Sequence, residues 1–307
     1  MILCCGEALI DMLPRESTAG EPSFAPYAGG AVFNSAIALG RLGVPVEFFS
    51  GLSSDLFGQQ IRDVLASSNV GSRYADVSSR PTTLAFVRLA DGHATYTFYD
   101  ENTAGRMLTE ADLPVFEDDI DAMLFGAISL IPEPSGSAYE ALMRREHDRR
   151  VTMLDPNIRP GFIPDKEKHL DRIRRMMAMA DIVKLSDEDL SWFGHEGPQE
   201  DLIHDWLQSG PKLIVVTRGA EGATGYTKRH TVSVKPNRVA VVDTVGAGDT
   251  FNAGILASLH DQGVLTKDGL EELSDTAIHE ALTLGSKAAA ITVSRAGANP
   301  PWRHEIE

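Results

Sequence analysis

Apolar and polar residues along this chain follow two rhythms, and the change from one to the other marks its elements. Short continuous apolar runs rich in β-branched residues read as strands buried on both faces. They fall at 1–12, 44–49, 123–125, 151–154, 182–185, 213–217 and 239–242. Between them, apolar residues recurring at helical spacing predict helices over 31–42, 58–65, 137–150, 170–180, 201–208 and 275–290, the first closed by Gly43. Strands alternating with helices imply an α/β fold with a mainly parallel sheet covered on both faces. Residues 83–99 break the rhythm: two alternating runs flank Asp91-Gly92, the strongest short hairpin signal here, and predict a separate β flap. The stretch 15–24 is polar and reads as loop, and the charge-dense 144–150 reads as a solvated helix end.

The most informative stretch is 239–259, VAVVDTVGAGDTFNAGILASL. It reads as a buried strand, a glycine corner at Gly246-Ala247-Gly248, and a helix with its apolar stripe at Phe251, Ile255, Leu256 and Leu259. Glycines at such a corner let backbone N–H groups converge, and the helix behind them adds partial positive charge, which together make an anion hole. Asp249 stands at its mouth. A carboxylate there repels a resting phosphate, but it suits a base that takes the proton of an attacking hydroxyl. The plainer alternative is that Asp249 caps the helix and the glycines make a turn.

Composition narrows the classes. At 307 residues and 43% apolar content the chain can bury one large core. A formal charge of −16 without a basic block argues against nucleic-acid or anionic-membrane partners. The only cysteines, Cys4 and Cys5, are neighbours on a strand and point to opposite faces, so neither a disulfide scaffold nor a zinc site is expected. With no basic leader and no apolar run of membrane-spanning length, the expectation is a cytoplasmic enzyme.

In open parallel sheets ligands bind beyond the carboxyl ends of the strands. Polar residues just after the apolar runs include Asp11, Asp155-Pro156-Asn157-Ile158-Arg159, Ser186 to Asp189, Thr217-Arg218-Gly219 and Asp249. Gly29-Gly30 opens a helix carrying Asn34. Carboxylate and amide groups suit a polyol, since each can hold two hydroxyls. No Walker A loop, His-Glu-x-x-His, Gly-x-Ser-x-Gly or dehydrogenase fingerprint is present.

The string Asp243-Thr-Val-Gly246-Ala247-Gly248-Asp249-Thr-Phe-Asn-Ala-Gly254 resembles the C-terminal signature of the ribokinase-like (PfkB) sugar kinases, and the resemblance extends over essentially the whole chain. It implies one ribokinase-like domain, 1–307, a Rossmann-like three-layer sandwich around a mainly parallel central sheet, with a small β lid at about 12–28 and 83–102. It further implies that Asp249 is the catalytic base and that the Gly246, Ala247 and Gly248 amides form the anion hole. Asp11, Gly29, Gly30, Asn34 and Arg159 would bind sugar; Thr217, Gly219, Gly222, Gly246, Gly248 and Ala289 would line the nucleotide site. Ser186 and Asp189 would replace the family's Asn-x-x-Glu in positioning Mg²⁺ through water, and Asp243 would lie at a monovalent-cation site for an ion such as K⁺. Two departures stand in the N-terminal signature, Val32 for a small residue or Pro and Ser53 for Gly.

The implied reaction is ATP-dependent phosphorylation of a small sugar. Asp155-Pro-Asn-Ile-Arg159 is shared by fructokinase-like and 2-keto-3-deoxygluconate-kinase-like members, and together with Gly6-Glu-Ala-Leu-Ile-Asp11 it puts fructose first and the acid sugar second. A Rossmann oxidoreductase would carry its glycine motif after the first strand, and a catalytically dead sugar-binding module would have lost Asp249. A lid with open sheet edges could pair with a second copy, giving a homodimer.

Overall fold

The computed structural model describes residues 1–90, 93–194 and 196–306. Its elements in chain order begin with β1 (Ile2–Cys5), β2 (Leu9–Glu16), β3 (Pro22–Gly29), α1 (Ala31–Arg41), β4 (Val46–Phe49), β5 (Gly51–Ser53), α2 (Leu56–Ser67), β6 (Val70–Gly71), β7 (Asp76–Ser78), β8 (Leu84–Ala90) and β9 (His93–Tyr99). They continue with β10 (Ala122–Gly126), α3 (Ser135–Glu146), β11 (Val151–Asp155), α4 (Lys166–Met179), β12 (Ile182–Ser186), α5 (Asp187–Trp192), α6 (Gln199–Ser209), β13 (Leu213–Thr217), β14 (Ala223–Tyr226) and β15 (Thr231–Val234). The chain ends in α7 (Ala247–Asp261), α8 (Lys267–Glu271) and α9 (Asp275–Val293).

A nine-stranded sheet runs in the order β15-β14-β13-β12-β11-β10-β1-β4-β6. It is parallel from β6 to β13, and β14 and β15 add antiparallel strands at one edge. Alternation along β1 shows why both faces need cover. Ile2 and Cys4 join the core under α1, α7 and α9, whereas Leu3 and Cys5 join the core under α3, α4 and α6. Both thiols are buried and unpaired, as their placement on opposite faces requires.

Helices α7 and α9 meet at Gly254 and Gly285, where a Cβ added to Gly254 would lie 2.4 Å from the Gly285 Cα. A glycine inside a helix costs about 1 kcal/mol relative to alanine. Close approach offsets that cost by burying Phe251, Ile255, Ile278 and Leu282, each worth about 1.5–3 kcal/mol when fully removed from water.

A second sheet, β3-β2-β8-β9, stands apart from the first. β8 and β9 pair antiparallel from Leu84 opposite Tyr99 to Ala90 opposite His93, and the expected Asp91-Gly92 turn lies outside the described residues. No described helix is long and apolar enough to cross a membrane.

Several expectations are corrected. Residues 239–242 are not a buried strand: Val239, Val241 and Val242 are 40%, 63% and 63% exposed, in a loop pinned by the N–H groups of Val242 and Asp243 to the Val293 carbonyl. β-branched residues favour a strand only where a neighbour can pair with them, and β14, with β15 outside it, already takes the place beside β13. The apolar run 1–12 is two strands in two sheets, broken at Gly6-Glu7-Ala8. The polar stretch 15–24 contributes to the β2–β3 hairpin, which turns at Ser17 to Gly20. Its strands expose both faces toward their ends, so no alternation betrays them. Arg150 is not solvated: it is 5% exposed and paired with Glu146 at 2.9 Å.

Gly254→Val should destabilise the fold by about 1–3 kcal/mol, because the new methyls meet backbone that cannot rotate away. Urea unfolding would show this as a lower midpoint at unchanged slope, and an unchanged midpoint would mean that the α7–α9 crossing yields freely.

Candidate active site

Gly246 makes the turn into α7 with φ 77° and is followed by Ala247 and Gly248, both partly exposed. No side chain caps this terminus. The first intrahelical bond in the turn is Thr250 N–H to the Gly246 carbonyl, so the N–H groups of Gly248 and Asp249 remain for another acceptor. Asp249 is 7% exposed, and Asn34 donates to its Oδ2 at 2.9 Å. Ser35 Oγ donates to the Asp249 carbonyl at 3.1 Å, fixing α1 against α7. Burial pushes the Asp249 carboxyl up to about 7; the Asn34 hydrogen bond and Lys184 pull it back, and Asp155 and Glu7 add to the rise. Asp249 is therefore no helix cap: its carboxylate faces another helix.

The Gly29-Gly30 corner is built around two acids. A Cβ on Gly29 would lie 2.3 Å from Asp11 Oδ2, and Gly30 has φ 114° with Glu7's carbonyl 2.8 Å from where its Cβ would be. Glu7 Oε1 accepts from Ala31 N at 2.8 Å and Val32 N at 3.4 Å, capping α1 from a distance, while Oε2 accepts from Ser129 N at 3.2 Å. Burial raises Glu7 to about 7 and Asp11 to about 6. In the sequence Glu7 is an acid inside an apolar run and part of the Gly6-Glu-Ala-Leu-Ile-Asp11 string, with no role of its own assigned.

Beside this corner opens a cavity of about 620 Å³. Leu9, Phe98, Ile128 and Phe162 supply apolar walls, and Glu7, Asp100 and Arg106 supply polar ones. Phe98 of β9 meets Phe162 edge-on at 4.7 Å, so the second sheet touches the segment between β11 and α4 across the cavity. Asp249 does not line it, but faces a much smaller space with Asp155 and Asn252. Arg106 is tied to Asp100 at 2.9 Å. Arg159 is exposed, its guanidinium donating to the Ile158 carbonyl at 3.0 Å.

The remaining expected residues lie at strand ends. Ser186 and Asp189 form a reciprocal capping box on α5, and Asp189 Oδ1 also accepts from Ile158 N at 2.7 Å. Asp243 accepts from Val245 N at 3.0 Å and Gly297 N at 2.9 Å. Thr217 ends β13; Gly219 and Gly222 follow with φ 47° and 104°, and Gly222 packs so closely on β15 that a Cβ would lie 2.1 Å from the Val234 carbonyl. Ala289 is half-buried on α9. Among the described residues no cluster of three or more acids, histidines or cysteines is assembled to hold a metal directly.

A group the motif reading passed over lies under α7. Lys184, within β12, is 4% exposed and pairs with Asp155 at 3.1 Å, and Asn252 donates to the same Asp155 oxygen at 2.6 Å. A lone lysine in the otherwise apolar run of β12 was the available signal.

A fructokinase from Rhizobium leguminosarum bv. trifolii is 60% identical over 278 residues, covering 91% of this chain and 85% of that protein. The fold matches the crystal structure of a fructokinase with bound ATP from Xylella fastidiosa, with TM-score 0.88, 30% identity, and 99% and 96% of the two chains covered. It also matches a fructokinase from Vibrio cholerae O395 in a form with bound fructose, ADP and calcium, with TM-score 0.82, 27% identity, and 97% and 94% covered. Residues 1–305 match the pfkB family of carbohydrate kinases, and to that family the chain belongs.

Proposed function

We propose that this carbohydrate kinase transfers the terminal phosphoryl group of ATP to a primary hydroxyl of fructose. The observation that carries the reaction is Asp249, buried with a raised pKa beside the free amides at the start of α7. Asp249 would take the hydroxyl proton while the Gly246–Gly248 corner receives the phosphoryl charge. Asp11, the Gly29-Gly30 corner and Asn34 would hold sugar hydroxyls. ATP would lie toward Thr217, Gly219, Gly222 and Ala289; that a nucleotide is bound at all is supported by the Xylella protein with ATP and the Vibrio protein with ADP.

Mg²⁺ suits this donor set only indirectly. Asp189 already accepts backbone and hydroxyl hydrogen bonds on both oxygens, so it and Ser186 would reach an ion through water, and phosphate oxygens would supply the direct ligands. Bound there, the ion would neutralise charge on the phosphates. Asp243 and the neighbouring loop would serve a monovalent cation.

The pairing of the cations around the cavity favours fructose: Arg172 is held by Glu133 and Glu140, and Lys168 lies 3.9 Å from Glu133. An acid sugar needs a cation aimed at its carboxylate, yet Arg106 is neutralised by Asp100 and Arg88 is exposed on the second sheet. One observation favours 2-keto-3-deoxygluconate instead: Arg159 has no carboxylate partner among the described residues. We expect kcat/KM for fructose to exceed that for ribose and for the acid sugar. A preference of about tenfold for the acid sugar, about 1.4 kcal/mol, would overturn the assignment.

Asp249 must be ionised to act as base, and its raised pKa moves the requirement upward. The kcat/KM for sugar should therefore fall about tenfold per pH unit below about 7 and level off above it. Asp249→Asn should lose about a hundredfold or more in turnover while still binding nucleotide. A profile flat down to pH 5, or a mutant that retains most of its turnover, would remove Asp249 from the base role.

We also propose that β2, β3, β8 and β9 act as a lid that excludes water from the transfer, and that two copies pair through it. Its edge strands are β3 and β9, and Phe24, Tyr27 and Tyr99 are 48%, 48% and 61% exposed on it. Light scattering should give the mass of a dimer, shifted toward monomer by Phe24→Lys; a monomeric wild type rules the pairing out.

A further inference from the structure

We propose that Lys184 is an electrostatic element of the phosphoryl-transfer site, its buried ammonium lying beneath the first turn of α7 and lending positive charge to the group received at Gly246–Gly248. The inference rests on the kinase reading and adds a positioning residue to it. Lys184 projects from β12 toward α7: a methyl group built on Gly248 would lie 3.1 Å from Lys184 Nζ. The ammonium thus stands directly under one of the residues whose N–H is left without an intrahelical partner.

Packing does not require a charge at this position. A buried ion pair has a large desolvation cost, and an apolar or neutral pair of similar volume is often as stable. Asp155 has other donors in Asn252 Nδ2 and Asn157 N. Burial alone would pull the ammonium's pKa down, but Asp155, then Asp189 and Asp249, more than offset it and hold Lys184 charged. The helix terminus offers only about half a unit of positive charge. Lys184 adds to it from the protein side, because the ammonium end of its pair with Asp155 is the end that lies 3.1 Å from a Cβ built on Gly248.

The same placement explains how Asp155 can sit close to a phosphate site. Paired with Lys184 it contributes no net charge; without the lysine it would be a bare carboxylate under the anion hole. Because the transferring group reaches the glycine corner only during transfer, loss of the lysine should appear in kcat more than in the KM for ATP or sugar.

Lys184→Met alone leaves Asp155 buried with hydrogen bonds but no countercharge, which endangers the fold. The informative comparison is Asp155→Asn against Asp155→Asn/Lys184→Met, which differ only in the lysine. Both are checked by thermal melting, and kcat and KM are measured per folded enzyme. The double variant should turn over about a hundredfold more slowly than Asp155→Asn, the scale of losing one oxyanion-hole donor, with KM values within about threefold. Equal kcat in the two overturns the proposal, as does a loss confined to KM. If the double variant does not fold, Asp155→Asn/Lys184→Gln, which keeps a donor, decides by the same criteria. Wild-type enzyme that phosphorylates no sugar overturns the kinase reading itself, and the Lys184 role with it.

Discussion

The structure depends on holding one carboxyl group, Asp249, out of water at the start of a helix. Burying an ionisable group is costly unless polar partners compensate, and the compensation here comes from several parts of the chain. Asn34 reaches it from α1, the α7 terminus lies around it, and Lys184 lies below it on β12. Each partner must be placed by its own element. α1 is aligned by Glu7, which bonds its first N–H groups, and by Ser35, which bonds the Asp249 carbonyl. The carboxyl proposed as base, the corner that would receive the phosphoryl group and the Gly29-Gly30 corner proposed to hold sugar are thereby tied together through α1.

Glycines set the spacing of that unit. At Gly29 the Asp11 carboxylate occupies the volume a side chain would need, so that acid can lie against the backbone of the corner. At Gly254 and Gly285 two helices approach closely enough to seat α7 firmly in the core. A helix held that way can carry unpartnered N–H groups at its exposed end without fraying, because its stability comes from packing further along. Fixed dipoles of this kind need no reorganisation when charge arrives, which is what makes them useful for group transfer.

The parts legible in the sequence were those with a local signature. The parallel strands were continuous apolar runs, α1 and α7 followed glycine corners, and the glycine-rich string singled out Asp249. What escaped depended on context. The valines at 239–242 have strand composition but no strand to pair with, and β2 and β3 expose too much of both faces to alternate. Lys184 and Glu7 matter because of what lies across from them, and the sequence separations are large: Glu7 to Ser129 spans 122 positions and Asn34 to Asp249 spans 215. Asp155 followed the right strand, yet it turns inward to Lys184, and spacing alone does not tell inward from outward.

The remaining question of physics is how a chain of net charge −16 admits a polyanion beside several acids. Burial answers part of it. Glu7 and Asp249, each raised to about 7, are only about half ionised near neutral pH, while Asp11, raised to about 6, stays mostly ionised there. A carboxyl in the protonated form also donates a hydrogen bond, which a carboxylate cannot, and that widens the ways a polyol can be held. Pairing answers another part: Asp155 is matched by Lys184 and Asp100 by Arg106, so these two acids add no net charge. The outer surface can remain strongly acidic because the field that matters to the reacting group is set within a few ångströms, where water is excluded and screening is weak.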